Sequence, residues 1–205
     1  MSPRPRKVSD DEVFAAAHRA TNRLAPSELT LAEIAKEAGV TAGALAQRFG
    51  SKRLLLLALA RGAADSTGGF IAQLKAAHKS PLAAVLAYAE CMAQLAQSPA
   101  ALARNLAYLQ IDLADPDFRE QLAVQARATR AGLEDLLASA VSAGELKRGT
   151  DVVTLARTVE AIVNGSMMTW AFYHDGPAER WICQDVNAVL EPYRSKLAAR
   201  SGRRR

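Results

Sequence analysis

Cysteine is almost missing from this chain: Cys91 and Cys183 are the only two among 205 residues. They stand far apart and form no CxxC pair, which excludes zinc-finger spacing and a disulfide framework. Their apolar, helix-like surroundings predict two reduced core thiols rather than a redox centre. Aromatic residues make up only 5% of the chain, and half of it is apolar. The apolar half is dominated by Ala and Leu, and the Val/Ile/Thr alternation of strands is missing, so packed helices are favoured over sheets. His18, His78 and His174 are scattered without metal-ligand spacing, and there is neither a nucleophile motif nor a glycine-rich phosphate loop. An enzyme, a metal site and a cofactor therefore find no support. The densest apolar run, Leu54 to Ala60, is too short to span a bilayer. The stretch from Met1 to Lys7 lacks the apolar segment of a secretory signal. The expectation is a cytoplasmic protein with no membrane partner.

The charge is uneven. Residues 1–61 carry ten Lys/Arg against six Asp/Glu, residues 62–191 carry ten against fifteen, and residues 192–205 carry six against none. A basic first part followed by an acidic middle suggests that the first part meets a polyanion.

Helix punctuation divides the chain. Ser9-Asp10-Asp11-Glu12 is a capping box, and Ala25-Pro26 closes the helix that follows. Thr30-Leu31-Ala32-Glu33 is a second box, whose short helix is stopped by Gly39. Thr41 caps a third helix, Gly50 ends it, and Ser51 caps a fourth. Ser80-Pro81, Ser98-Pro99 and Asp115-Pro116 each read as a helix start, because proline at the first helical position loses no hydrogen bond. Apolar residues at 3–4 spacing continue from about Thr150 to Tyr173, and again from Ile182 to Tyr193, with Pro192 bending or ending the last helix. The fold expected is all-α, with about nine helices: four short ones to about residue 61, then longer ones.

Residues 30–50 carry the function. Two helices joined by a tight turn at Gly39 fit a helix-turn-helix, with Ile34, Ala35, Val40, Leu45 and Phe49 packed inside. Thr41, Ala42, Ala44, Gln47 and Arg48 are left for the outside of a third helix small enough to enter a major groove. In Thr30, Ile34-Ala35, Ala38-Gly39-Val40-Thr41, Gly43, Leu45, Phe49 and Ser51-Lys52 followed by Leu54, the chain resembles the TetR family of transcriptional regulators. The resemblance covers about residues 9–60 directly and the later helices by number, length and order.

It implies an N-terminal three-helix DNA-binding domain over residues 1–61, and a helical effector-binding and dimerisation domain over residues 62–205. Thr30 and Thr41 would hold phosphates through their hydroxyls and neighbouring N–H groups. Gly43 would allow close approach of the backbone, Ala42 and Ala44 would face base edges, and Lys52 would take a phosphate. Where the family usually has an aromatic, this chain has Ala46. That leaves Gln47 and Arg48 as the long polar side chains of the helix; Gln can read adenine and Arg guanine, and Arg48 can equally be a phosphate contact or a surface residue. The basic arm, Arg4, Arg6 and Lys7, either reaches DNA or is a solvated tail, and the same alternatives hold for Arg203, Arg204 and Arg205.

One recognition helix gives little specificity, so proteins of this design pair and read two half-sites. The apolar faces of residues 150–190, among them Val159 and Val186, point to a homodimer on a palindromic double-stranded operator. Between the fourth helix and the last two, related regulators hold an effector pocket. Tyr88, Met92, Asn105, Tyr108 and Trp170 are the candidate contacts for a small, largely apolar ligand. The functional expectation is a DNA-binding transcriptional regulator, a repressor released by that ligand. The alternative is a helical ligand-binding or interaction protein that no longer binds DNA.

Overall fold

The computed structural model describes residues 8–195, and the arginines and lysine at either end that the sequence singles out, Arg4, Arg6, Lys7 and Arg203 to Arg205, lie outside them. Among the described residues there are nine α-helices: α1 (Asp10–Arg23), α2 (Leu31–Ala38), α3 (Ala42–Phe49), α4 (Lys52–Ala77), α5 (Pro81–Ala93), α6 (Pro99–Ala114), α7 (Pro116–Ser142), α8 (Val152–Tyr173) and α9 (Ala178–Leu190). Extended pairing among these residues amounts to one antiparallel bridge, Leu146 with Arg194. The all-α expectation holds.

The first cap acts as the sequence predicts. Ser9 Oγ accepts from the Glu12 N–H at 3.2 Å, and the Glu12 carboxylate accepts from the Ser9 N–H at 2.8 Å. Gly39 sits in the left-handed region, φ 69°, where a side chain would be strained. All three Pro-led starts are real, at Pro81, Pro99 and Pro116. Asp151, which the pattern did not single out, caps α8 by accepting from the Thr154 N–H.

One expectation fails: α4 is not short. It runs 26 residues, through Gly62, Gly68 and Gly69, none of which ends it. By length and composition it is the one helix among the described residues able to cross a bilayer. The short run Leu54 to Ala60 gave no sign of this. Its Leu55, Leu57, Ala64 and Ile71 are buried against protein.

The chain forms two compact units. The first comprises the residues up to Ala64 together with Ala103–Leu122, and the second comprises Asp65–Leu102 with the residues from Ala123 onward. A single cut at residue 61 thus gives way to a division in which part of α6 and the start of α7 join the first unit. The reason is polar fastening. Tyr108 Oη donates to the Leu24 carbonyl at 2.9 Å, Arg104 Nε donates to that of Asn22 at 3.1 Å, and Arg53 binds Asp115 and Asp117.

In the first unit Val13, Ala17, Ala20, Leu29, Ile34, Ala35, Leu45 and Leu55 make the core, with Phe49, Val40 and Tyr108 packed at its edge. In the second, α8 and α9 pack on each other and on α5, burying Leu155, Val159, Val163, Trp170, Ile182, Val186 and Leu190. Ser166 Oγ donates to the Asp185 carboxylate at 2.6 Å between those two helices. Val159 and Val186, expected at a dimer face, are instead fully enclosed by their own unit.

Candidate nucleic-acid interface

Helices α2 and α3, eight residues each, are joined at Gly39 with Val40 and Thr41 between them. Ile34, Ala35 and Leu45 point inward, and the Phe49 ring meets that of Phe14 with centroids 5.9 Å apart. What remains outward is the surface on which DNA contact was expected.

Thr30 and Thr41 are exposed N-caps, whose hydroxyl oxygens accept from the N–H groups of Glu33 and Ala44, both at 3.1 Å. Each hydroxyl keeps its proton to donate outward. The second capping box is only half formed. Thr30 caps the helix, while the Glu33 carboxylate lies 3.7 Å from Arg23. Gly43 is exposed, and a Cβ there would meet only Thr41 Oγ1 at 4.0 Å, so the backbone of α3 is open to close approach. Ala44, Ala46 and Gln47 are exposed as well. Ala42 is half-buried and packs on the core, so it presents less surface than the pattern implied.

The two expected cationic contacts turn elsewhere. Arg48 Nη1 donates to the Val8 carbonyl at 2.7 Å, its Nη2 pairs with the Asp10 carboxylate, and the guanidinium stacks over the Phe49 ring. Both acceptors stand at the start of α1, so Arg48 ties α3 to that helix. The ammonium of Lys52 donates to the carbonyls of Leu29 (2.8 Å) and Pro26 (3.2 Å), which ties the α1–α2 loop to the first turn of α4. One of its three protons is left over.

Arg53, which the sequence reading did not single out, holds the first unit together. Its Nε and Nη2 bind both oxygens of Asp115 at 2.8 Å, and Nη2 also reaches Asp117 at 2.7 Å. The guanidinium keeps the Asp115 carboxyl below the ordinary aspartate range, mainly by these hydrogen bonds. Asp112, close by, is pushed up by burial and by the charge of Asp115. Asp115 read only as a helix cap, and its partner lies 62 residues away in sequence. Nothing in the local pattern announces that pairing.

Beside α3 lies a groove of about 1380 Å³, walled by Val8, Val13, Val40 and Leu45 and bordered by Glu12, Arg19, Glu37 and Arg48. Glu37 is held ionised by a 2.8 Å bond from Arg19. Its two carboxylates are matched in number by two arginines, and Thr41 and Ala44 from the start of α3 line it as well.

The candidate effector contacts divide between the units. Asn105 and Tyr108 belong to the first, and Tyr88, Met92 and Trp170 to the second. Tyr108 is committed to the Leu24 carbonyl, and burial pushes its phenol up to about 12. Trp170 is buried and donates from Nε1 to the Gly176 carbonyl at 2.9 Å. Tyr88 is buried too, its phenol pushed up to about 12 by burial and then by Glu160. Glu160 is itself paired with Arg130 at 2.6 Å. Met92 is half-buried. The cysteines differ from expectation. Cys91 is exposed and Cys183 half-buried, the latter's thiol raised to about 11 by burial and by Glu90 and Glu179.

A short helix pair with a tight turn, capped by exposed threonines and presented from a three-helix core, defines a helix-turn-helix DNA-binding domain, here followed by a helical unit. Residues 13–59 match the family of bacterial regulatory proteins, tetR family, and residues 107–186 match the tetracyclin repressor-like C-terminal domain. The chain belongs to the TetR family of transcriptional regulators.

Solved structures share the fold. A TetR transcription regulator from Haloarcula marismortui is 16% identical with a TM-score of 0.72, over 91% of this chain and 98% of that one. SmeT, the repressor of the Stenotrophomonas maltophilia multidrug efflux pump SmeDEF, is 19% identical with a TM-score of 0.66, over 93% and 92%. The regulator FadR from Bacillus subtilis, solved with stearoyl-CoA, is 17% identical with a TM-score of 0.64, over 88% and 97%. No curated protein matches the chain.

Proposed function

We propose that the protein is a cytoplasmic homodimeric repressor that occupies a palindromic operator and is released from it by a small, largely apolar ligand. The observation that carries the DNA-binding part is the outward surface of α2 and α3. There Thr30 and Thr41 each keep a hydroxyl proton at a helix N-terminus, Gly43 has open space in front of it, and Gln47 is fully presented. In this reading the threonines and the backbone near Gly43 and Ala44 position the helix on phosphates, and Gln47 reads a base edge. Ala42 contributes shape, and Lys52 offers only its third proton to a phosphate.

Dimerisation is supported by a stripe along α8: Val153, Arg157, Ala161, Gly165, Met168 and Phe172 are all exposed and lie on one helical face. Phe172 is 77% exposed and shares this face with the exposed Met168 and Val153, an apolar surface of the kind that marks an interface. Two small residues at its middle permit a close helix-helix approach.

Release by a ligand requires that the ligand prefer the conformation that fits DNA poorly, and DNA must then weaken the ligand by the same factor. A hundredfold effect corresponds to about 2.7 kcal/mol. Tyr88, Met92 and Trp170, all in the second unit, are the proposed contacts. α4 has residues in both units and is proposed to carry the change. Structures of the same fold that hold acyl-CoA support a partly apolar effector.

The engagement of Arg48 and Lys52 gives weight to a second reading, a ligand-binding protein that has left DNA. Nuclease footprinting of the purified protein on the region upstream of its own gene separates the two. A protected inverted repeat supports the repressor. No protection at any salt concentration, with a folded dimeric protein, establishes the second reading.

A further inference from the structure

The footing of α3 is small. Of its eight residues only Leu45 is fully buried. Between it and α1 runs the open groove, with Glu12, Ala15 and Arg19 on the α1 wall and Thr41, Ala44 and Arg48 on the α3 wall. Close packing along that groove therefore does not fix how far α3 is rolled about its own axis. Two links at the last turn of α3 reach the other side. The Phe49 ring meets that of Phe14, tilted by 51°. The Arg48 guanidinium donates from Nη1 to the Val8 carbonyl at 2.7 Å, pairs through Nη2 with the Asp10 carboxylate, and lies 5.4 Å from the centre of the Phe49 ring. A tilted ring contact tolerates sliding, whereas two charge-assisted hydrogen bonds from one planar guanidinium have direction. The arginine is the part of this linkage that sets an angle.

That angle matters to the residue beside it. Gln47 is exposed and makes no hydrogen bond among the described residues. Side chains reach about 5–6 Å from a helix axis, so a roll of about 10° carries them about 1 Å. A binding group has to be held to within about 0.5 Å of its productive position.

We propose that Arg48 is a positioning residue for sequence reading. By clamping α3 to Val8 and Asp10 at the start of α1, it fixes the angle at which Gln47 meets a base edge, and it touches neither base nor phosphate itself. This rests on the DNA-binding function proposed above, with Gln47 as the reader. It also makes Asp10, whose charge DNA repels, a contributor to specificity. An arginine that contacted DNA would have to give up both partners, whereas a clamping arginine keeps them on and off DNA.

The probe is a duplex that the full-length protein selects from a random-sequence pool, set against a scrambled duplex of the same composition. Affinity for each is read by fluorescence anisotropy over a range of salt concentrations, and the ratio of the two is the specificity. Gln47→Ala sets the scale, a fall in that ratio of about tenfold or more. Arg48→Ala and Asp10→Asn should each lower the ratio by a similar factor, and Arg48→Lys by less. In the Gln47→Ala background neither should lower it much further, because the clamp acts through Gln47. On the scrambled duplex the salt slope of Arg48→Ala should change by less than the one unit or so that a lost phosphate contact removes. Circular dichroism establishes that each variant is folded at the assay temperature. Should Arg48→Ala unfold the unit, Asp10→Asn and Arg48→Lys carry the same comparison. A loss of specificity from Arg48→Ala that Asp10→Asn does not share, or that persists undiminished in the Gln47→Ala background, makes Arg48 a base reader and overturns the proposal. A slope lowered by about one unit makes it a phosphate contact and overturns it equally. An unchanged ratio in both single variants removes the clamp from recognition. If Gln47→Ala leaves the ratio unchanged while the wild type still selects a sequence, the proposal falls and the DNA-binding reading stands. If the folded wild type binds no duplex even at low salt, that reading falls first.

Discussion

Gly132 on α7 should be the glycine this protein least tolerates as alanine. A Cβ built there would lie 2.7 Å from Ile71 Cγ2, 2.9 Å from its Cδ1 and 3.1 Å from its Cβ. Ile71 is on α4 and is buried, and a β-branched side chain in a helix has essentially one χ1 rotamer, so its Cγ2 cannot swing aside. The two helices would have to separate. Overpacking of this kind costs about 1–3 kcal/mol, while exchanging glycine for alanine inside a helix returns about 1 kcal/mol of propensity. The net expectation for Gly132→Ala is a destabilisation of about 0–2 kcal/mol. Gly68→Ala on α4 is the control. No atom lies within 4 Å of its Cβ, so only the propensity gain of about 0.5–1 kcal/mol remains.

Thermal unfolding by circular dichroism, at one protein concentration because dimerisation shifts Tm, should place the two variants on opposite sides of wild type. The conversion is about 2–4 °C per kcal/mol for a chain of this size. Ile71→Ala costs stability by itself, about 2–5 kcal/mol, but in that background Gly132→Ala should cost less than in wild type or turn stabilising, because the two closest atoms, Cγ2 and Cδ1, are gone and only the Cβ at 3.1 Å remains. If Gly132→Ala raises Tm as much as Gly68→Ala does, the close crossing of α4 and α7 is wrong.

The dimer face makes a contrast. Phe172→Glu or Met168→Glu should give a folded monomer in sedimentation, whereas Val159→Glu or Val186→Glu should unfold the second unit, since both valines are fully buried. A dimer unaffected by Phe172→Glu removes the α8 stripe from the interface. Lys52→Ala should lower stability by about 1.5–3 kcal/mol, through loss of charged hydrogen bonds to the Pro26 and Leu29 carbonyls. An unchanged unfolding midpoint in denaturant contradicts that role. For Asp115 the folded pKa is depressed, so its contribution to stability is present above the ordinary aspartate value and lost as pH falls through the lowered one. Asp115→Asn should flatten the acid limb of a stability profile below about pH 4, and an unaltered limb refutes the Arg53 clamp as its source. Replacing Tyr88 or Trp170 should change the response to an inducer while operator affinity without ligand stays near wild type, and equal loss of both points to a folding defect instead.

Much of the architecture could be read locally because helix ends are local chemistry. The Ser9 box, the Gly39 stop, the Thr41 cap and the three Pro-led starts each depend on residues within one turn, and each appears where the pattern put it. The helix-turn-helix followed from the same kind of signal. Solvent-facing side chains were harder. The local pattern predicts Arg48 and Lys52 as outward cations, but their acceptors, Asp10 with Val8 and the Pro26 and Leu29 carbonyls, come from other helices and loops.

The amino-acid order by itself determined an all-helical chain, the positions of most helix ends and the threonine caps of the helix-turn-helix, because hydrogen bonding within one turn and a 3.6-residue apolar period decide these things without reference to distant residues. Tertiary structure alone decided that α4 continues through three glycines, that part of α6 joins the first unit through Arg53 and Tyr108, and that Val159 and Val186 are core while Phe172 is surface. Those outcomes depend on which apolar face meets which, and on acceptors brought within 3 Å of a side chain by packing between segments tens of residues apart.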